Sequence, residues 1–297
     1  MASEESFKVV GVGGSGCAAV EKMLSCPGCQ TIVVHTDAQS LLERKVQHKL
    51  LIGLSVTKGR STGNNIRLGE EAALADMDKI KAALEGAKVT FVVAGLGGGT
   101  GAGGAPIVAE AAKTLGSTVV AFVNIPFTVE GKICRGNAKA GLENLRPYCD
   151  LTVVIENDRF LKTVPDLSVR DAFAKVNKMI LDAVQGMVKL TVDSGIENLK
   201  PLLKGYATLG HGAGPTIQKA VDAAIESPLI GAELKDAAGV MLDFKTHSKE
   251  VVGLQEALDT ILSKTNPQAG ILWTNTVDDS AEGNEVLVIF TGVRVSV

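Results

Sequence analysis

Val89-Thr90-Phe91-Val92-Val93-Ala94 is an apolar, β-branched run, and after Gly95-Leu96 it leads into Gly97-Gly98-Gly99-Thr100-Gly101-Ala102-Gly103. A run apolar on both faces predicts a strand buried in a parallel sheet. Behind the glycines, Pro106–Leu115 has helical spacing, with proline in the first turn, where a missing N–H is harmless. A glycine run between a buried strand and a helix reads as a phosphate cradle. Successive backbone N–H groups can turn toward one anion with no Cβ in the way. The helix behind adds the positive end of its dipole, and Thr100 adds a hydroxyl. No GxxxxGK[ST] string is present and no lysine directly follows the glycines, so backbone dipoles and a metal ion must neutralise the phosphates.

Upstream, Phe7–Val12 reads as a strand that ends in a second glycine run, Gly11-Val12-Gly13-Gly14-Ser15-Gly16, with a helix over Ala18–Leu24. Thr31–His35 is the next strand, and Asp37 follows it at the distance where a dinucleotide-binding fold places its ribose-binding acid. These first residues therefore also suit an NAD-dependent oxidoreductase, a reading that leaves the Gly97–Gly103 loop unexplained. A helix over Gly69–Leu84 and strands at Thr118–Val123 and Leu151–Ile155 continue the alternation of a doubly wound, mostly parallel α/β domain. From Ser168, apolar residues recur at three and four through Met187, one long amphipathic helix. Beyond it come helices at Leu199–Tyr206, Ala220–Glu226 and Leu254–Ser263, with strands at Ala238–Phe244, Ile271–Thr276 and Glu285–Val295. The expected organisation is a nucleotide domain over residues 1–167, a central helix over 168–190 and a smaller α+β domain over 191–297.

Composition narrows the classes. A formal net charge of −3 gives no clustered basic face for nucleic acid, so no nucleic-acid partner is expected. No leading signal and no uncharged apolar run of membrane length are present; direct membrane insertion is not expected and the cytoplasm is the default compartment. Five cysteines in a long chain argue against a disulfide framework. Cys26-Pro27-Gly28-Cys29 has redox or metal spacing, yet it follows a helix rather than opening one and has no second pair, so it reads as a loop with two incidental thiols. Glycine is abundant (33 residues) and aromatic residues are scarce (4%), which puts close backbone approach ahead of aromatic anchoring.

The string GGGTGAG matches the tubulin signature, and the chain resembles the FtsZ branch of the tubulin/FtsZ superfamily from about Phe7 to Gly292. Thr36-Asp37-Ala38-Gln39, Pro126-Phe127 with Glu130-Gly131, Asn157-Asp158-Arg159 and Val184-Gln185-Gly186 carry the resemblance in order. It implies a GTP-binding domain, a central helix and a smaller activation domain, with GTP or GDP and Mg²⁺ as cofactors and head-to-tail self-assembly into filaments. Carried over by residue, it implies nucleotide contacts at Gly13, Gly14, Ser15, Gly16 and Cys17, at Asp37, and through Gly97, Gly98, Gly99, Thr100, Gly101, Ala102 and Gly103. Thr62, Gly63 and Asn64 fall where the family has its γ-phosphate loop. Glu130 would bind the ribose, Asn157 and Asn177 the sugar–base region, and Phe173 would stack on guanine.

Departures matter as much. Cys17 replaces the family's asparagine and Cys134 its arginine, for which the adjacent Arg135 is the candidate substitute. The loop after the central helix, which in the family completes hydrolysis on the neighbouring subunit, is shorter than the family pattern by roughly seven residues between Val184-Gln185-Gly186 and Gly205-Tyr206-Ala207. Asp193 and Glu197 are its candidate catalytic acids. The chain ends at Val297 soon after its last strand, so binding of an adaptor through a C-terminal tail is not expected. A polymerising GTPase is therefore the first reading, a slowly hydrolysing scaffold or regulator the second, and the oxidoreductase the third.

Overall fold

The apolar runs form the middle of one ten-stranded sheet. Its strands are β1 (Phe7–Val12), β2 (Cys29–His35), β3 (His48–Leu51), β4 (Val89–Gly95), β5 (Thr118–Ile125), β6 (Leu151–Glu156), β7 (Gly205–Gly214), β8 (Gly239–Thr246), β9 (Gly270–Val277) and β10 (Asn284–Val293). The structure is a computed structural model and describes residues 7–24, 26, 28–163, 168–248, 250–278 and 283–295. The boundary expected at residue 167 lies outside the described residues.

The order β3-β2-β1-β4-β5-β6 is parallel throughout and reverses direction between β1 and β4, the arrangement of a doubly wound nucleotide-binding sheet. Alternate residues of each strand bury against opposite faces. Val9, Val33, Phe91, Phe122 and Val153 pack on one side with Cys17 and Val20 of helix Gly13–Val20. Val10, Val34, Val92, Val123 and Val154 pack on the other with Ile107, Val108 and Ala112 of helix Gly99–Thr114. The helices that leave β1 and β4 thus cover opposite faces and open a crevice between their first turns. β7 joins β6 through only three residue pairs, Leu151↔Gly205 to Val153↔Ala207, and then pairs antiparallel with β10.

The central helix, Val169–Ser194, is about 39 Å long at the usual rise. Its Ser168 cap hydroxyl accepts the Asp171 N–H at 3.2 Å. Ala183, Val184 and Met187 are fully buried and share one core with Ile155 of β6, Leu209 of β7 and Met241 of β8. The helix runs four residues past its expected end at 190, so Asp193 lies in its last turn.

Several expectations need correction. The second helix begins at Gly99, so the glycine cradle is the helix's own first turn and Pro106 stands about two turns inside it. Glycine is demanded there by packing. A Cβ on Gly99, Gly101 or Gly103 would fall 2.2–2.3 Å from the carbonyl oxygens of Asn65, Gly95 and Ile66. Likewise the first helix is Gly13–Val20, continued by a 3₁₀ turn at Glu21–Met23. Gly69–Leu84 is two helices, Ile66–Ala75 and Met77–Leu84, broken at Asp76 (φ −120°, ψ 26°), whose carboxylate accepts the Gly53 N–H at 2.6 Å. The helix expected over Leu199–Tyr206 is instead the end of a short helix, Ile196–Leu199, then a 3₁₀ turn at Lys200–Leu202 and the start of β7 at Gly205. β7 was hidden by its glycines, which let helix Ile217–Ile225 lie directly on the strand: a Cβ on Gly212 would fall 2.2 Å from the Ala220 carbonyl.

Gly103→Ala is expected to destabilise the chain by about 2–4 kcal/mol in urea unfolding, because backbone must move. Gly136→Ala, exposed in helix Lys132–Leu145 with nothing near its Cβ, is expected to stabilise by about 0.5–1 kcal/mol. Asp243 of β8 packs against Gly186 of the central helix and accepts the Thr276 hydroxyl at 3.0 Å. Burial pushes its carboxyl from 3.8 up to about 6, while Thr276, Lys245 and Lys189 pull the other way. The folded state therefore binds this proton more tightly than the unfolded one, and ionisation weakens the fold, fully above pH 6 and not at all below about 3.8. Asp243→Asn is expected to raise stability above about pH 7 by ~1–3 kcal/mol, with the gain fading on acidification.

Candidate functional site

A cavity of about 370 Å³ opens at the carboxyl ends of β1, β2, β4, β5 and β6. Gly14 and Ser15 come to it from the first helix, His35 from the end of β2, and Ser61, Thr62 and Asn64 from the loop after β3. Gly95, Gly97–Gly99, Thr100 and Gly101 form its floor, and Asn124, Pro126, Glu130, Cys134, Asn157 and Phe173 close the far side.

Two helix N-termini meet here. Neither Val12 nor Gly98, the residues in N-cap position, caps its helix with a side chain. Elsewhere Asp37, Asn65, Ser168 and Thr216 do cap theirs. The first-turn N–H groups at Gly13–Ser15 and Gly99–Gly101 thus lack side-chain acceptors and face one space, where the two dipoles favour an anion. Gly13 (φ 73°) makes the convergence possible, since a Cβ on it would lie 2.8 Å from the Gly101 nitrogen. The floor hydroxyls are linked: Thr100 Oγ1 lies 2.9 Å from Thr36 Oγ1 and 3.4 Å from Thr62 Oγ1. Asn137 donates to the carbonyls of Asn64 (2.7 Å) and Gly97 (3.1 Å), tying the Thr62–Asn64 loop to the glycine cradle. Asn64 itself takes a left-handed φ of 64°, which asparagine tolerates.

At the opposite end, Phe173 lines the cavity and packs against Phe127 in a T-shaped pair with ring centres 5.0 Å apart. Asn177 lies one helical turn on, and its buried Oδ1 has no hydrogen-bond partner. Asn177 is not among the residues that line the cavity. Asn124 donates to Asn157 Oδ1 at 3.4 Å, and Glu130 Oε1 accepts the Phe127 N–H at 2.7 Å. Among the described residues, no lysine or arginine lines the cavity.

Other expected contacts fall elsewhere. Gly16, Ala102 and Gly103 lie behind the lining, and Gly63 beside it. The Cys17 thiol faces the core, 3.5 Å from the carbonyls of Gly11 and Val34, and burial pushes it to about 12. Asp37 spends its carboxylate on the Ser40 N–H. Arg135 is held outside the cavity by Thr128 (2.8 Å) and Asp158 (3.6 Å), so it does not replace the arginine that Cys134 displaces. His35, Ser61, Asn124 and Asn137 were not picked out by motif; the first stands directly before Thr36-Asp37, and the asparagines lack any local pattern.

Asp193 and Glu197 lie at the other end of the sheet. Lys200 and Leu203, just beyond Glu197, line a small cavity with Thr118 at the start of β5 and Asp150 ahead of β6. β5 alone separates the ends by about 23 Å. Asp193 accepts the Thr274 hydroxyl at 2.9 Å, and exposed Glu197 pairs with Lys200 at 2.8 Å. The Cys26 and Cys29 thiols, 3.0 Å apart, are also remote from the cavity, at the start of β2. Among the described residues no group of three or more His, Cys, Asp or Glu side chains stands ready for a metal ion, and no helix is long and apolar enough to cross a membrane.

Residues 6–165 match the Tubulin/FtsZ family, GTPase domain, and residues 205–294 the FtsZ family, C-terminal domain. This chain belongs to the tubulin/FtsZ family. Its first half is the family's GTPase domain, and the oxidoreductase reading is set aside. The family's relatives include the cell division protein FtsZ 1 of Thermococcus kodakarensis, 36% identical over 298 residues, 96% of this chain and 80% of that protein. FtsZ 1 of Methanocaldococcus jannaschii is also 36% identical, covering 98% of this chain and 84% of that one. In three dimensions an empty FtsZ dimer from M. jannaschii superposes with a TM-score of 0.91 at 35% identity, over 97% of this chain and 88% of that one. The GTPγS-bound protofilament of CetZ2 from Haloferax volcanii shares the fold, with a TM-score of 0.84 at 23% identity over 97% and 93% of the two chains.

Cys134 lines the cavity, whereas burial holds Cys17 and Cys149 at about 12. Iodoacetamide is expected to alkylate Cys134 in the free protein and to leave Cys17 and Cys149 unmodified. Saturating GDP should slow Cys134 labelling roughly tenfold or more, since a bound ligand limits reaction to the open fraction; peptide mass spectrometry reads all three.

Proposed function

We propose that this chain binds GTP and GDP in the cavity above the glycine cradle, assembles head to tail into filaments, and completes GTP hydrolysis at the contact between subunits. The observation that carries this reading is the pair of uncapped helix N-termini facing one cavity whose far side is lined by Phe173, Asn124, Asn157 and Glu130. The phosphates take the backbone N–H groups and the Thr100 hydroxyl. Glu130 takes the ribose, Phe173 stacks on the base, and Asn157 and Asn177 read its edge. Mg²⁺ bound together with the phosphates would supply positive charge beside the cradle. The cytoplasm is the compartment in which this chemistry finds its nucleotide, and the three-part division at 167 and 190 follows the same family plan.

Stacking follows from where the parts lie. The nucleotide is at the carboxyl ends of the strands and the acids at the amino ends, so neither acid reaches its own chain's γ-phosphate. A second copy stacked along the strands brings them together, and such a heterologous contact grows into an open filament. Exposed apolar residues stand at both ends: Val129 (85% exposed) and Ile133 (71%) beside the cavity, Val192 (67%) beside Asp193. Glu197 is the better placed acid, because Asp193 is turned sideways onto Thr274 of β9. The ion pairs already made by both acids favour the second reading, a scaffold that hydrolyses slowly.

GTP turnover measured against protein concentration separates the two. Specific activity is expected to rise above a threshold concentration, together with GTP-dependent pelleting. Glu197→Ala should lower turnover about 10²-fold with GDP affinity unchanged, and Asp193→Ala should act more weakly. A specific activity flat with concentration favours the scaffold, and equal turnover in all three proteins removes both acids.

A further inference from the structure

His35 closes β2 at the cavity wall, only 7% exposed, in a lining that has neither lysine nor arginine among the described residues. Its two ring nitrogens are not equivalent. The main-chain N–H of Asp37 points at Nδ1 from 2.8 Å. A backbone amide can only donate, so Nδ1 must be the acceptor, and the neutral ring carries its hydrogen on Nε2. That Nε2 is turned toward Gly14: a Cβ on Gly14 would lie 3.9 Å from it. Gly14 belongs to the first turn of helix Gly13–Val20, so Nε2–H adds a side-chain donor to the main-chain donors of that turn.

The surroundings also oppose a charged ring. Protonation would put a hydrogen on Nδ1, directly against the Asp37 N–H. Burial pushes the imidazole pKa down, Asp37 raises it and Arg44 lowers it again. Arg44 is itself paired with Glu21 at 3.2 Å, and the Asp37 carboxylate is engaged by the Ser40 N–H. From β3 the register partner is Leu51, and helix Gly13–Val20 brings no acid or base other than the buried Cys17 thiol.

We propose that His35 is a phosphate contact of the nucleotide site, a neutral hydrogen-bond donor through Nε2–H whose tautomer is locked by the Asp37 amide. This rests on the functional reading above and deepens it. A lysine here would hold the phosphates by charge at every stage. A locked neutral imidazole holds them by geometry, at a strength that does not vary with pH near neutrality, and leaves charge neutralisation to the helix dipoles and the metal ion.

The test is nitrogen-15 NMR of the full chain, with and without GDP, across about pH 6 to pH 8. The chain has four histidines, and the exposed His48, His211 and His247 are assigned by their own glutamine substitutions, leaving His35. Expected are the shifts of a neutral Nε2–H tautomer throughout that range and a displacement of the Nε2 resonance on GDP binding, with Nδ1 still that of an acceptor. In parallel, calorimetry with GDP should show His35→Ala weakening affinity about three- to tenfold, the worth of one hydrogen bond. His35→Gln, which can place an N–H in the same space, should recover part of that loss, and the ratio of parent to alanine variant should stay constant with pH. A ring that becomes imidazolium when GDP enters, an Nε2 resonance that GDP leaves unmoved, or an alanine variant that binds GDP as the parent does would each overturn the proposal. If the substitutions fail to fold, the parent's spectra decide alone. A parent that binds neither GDP nor GTP removes the functional reading itself; a parent that binds GDP with His35 unmoved removes only this contact.

Discussion

Backbone touches backbone where Gly13 meets Gly101, and the rest of the site is arranged around that contact. Any side chain there would push the two helix starts apart and spread their N–H groups beyond the span of one phosphate chain. The same demand recurs one layer back, where Gly99, Gly101 and Gly103 let the second helix lie against Asn65, Gly95 and Ile66. Glycine is a poor helix former, by about 1 kcal/mol relative to alanine. A helix opened by such residues is held by its surroundings rather than by its own propensity, and its uncapped first turn lacks a side-chain acceptor. An anion supplies what the sequence withholds, so nucleotide binding and the order of the cradle are linked.

The second constraint is length. The parallel strands hold the cradle and the acidic loop at opposite ends of the sheet, and no side chain bridges that distance. The central helix crosses the same span from Phe173 at the nucleotide end to Asp193 at the other, passing Asp243 of β8 on the way. It is rooted in a core shared by β6, β7 and β8, so packed side chains hold its two ends at a fixed separation.

Much of this was legible in the sequence. Continuous apolar runs located β1, β4, β5 and β6 nearly to the residue, because buried parallel strands have no polar face to confuse them. The helix starts were misplaced because glycine and proline were taken at their local value, whereas Gly99–Gly103 and Pro106 are helical under tertiary contact. β7 failed for the same reason: Gly210, Gly212 and Gly214 read as loop, yet they alternate on the face that receives helix Ile217–Ile225. Of the site, the cradle followed from its glycine motif and Phe173 from the resemblance to the family, whereas periodicity alone would have placed that ring in the core. Asn124, Asn137 and His35 did not, since each matters through a partner distant in sequence or through main-chain geometry.

The oxidoreductase reading fails for a physical reason that strand order could not supply. A dinucleotide fold and this one share the order β3-β2-β1-β4-β5-β6 and the crevice between β1 and β4. They differ in what lies at the two ends of that crevice. Asp37, the residue a dinucleotide would need for its ribose, is turned into a helix cap, and the ring before it is pinned by its own amide to face the first glycine turn. The space that would take a second nucleoside beside β4 is filled by a second helix N-terminus. The room that remains lies between two helix N-termini and extends to Phe173 at the far wall.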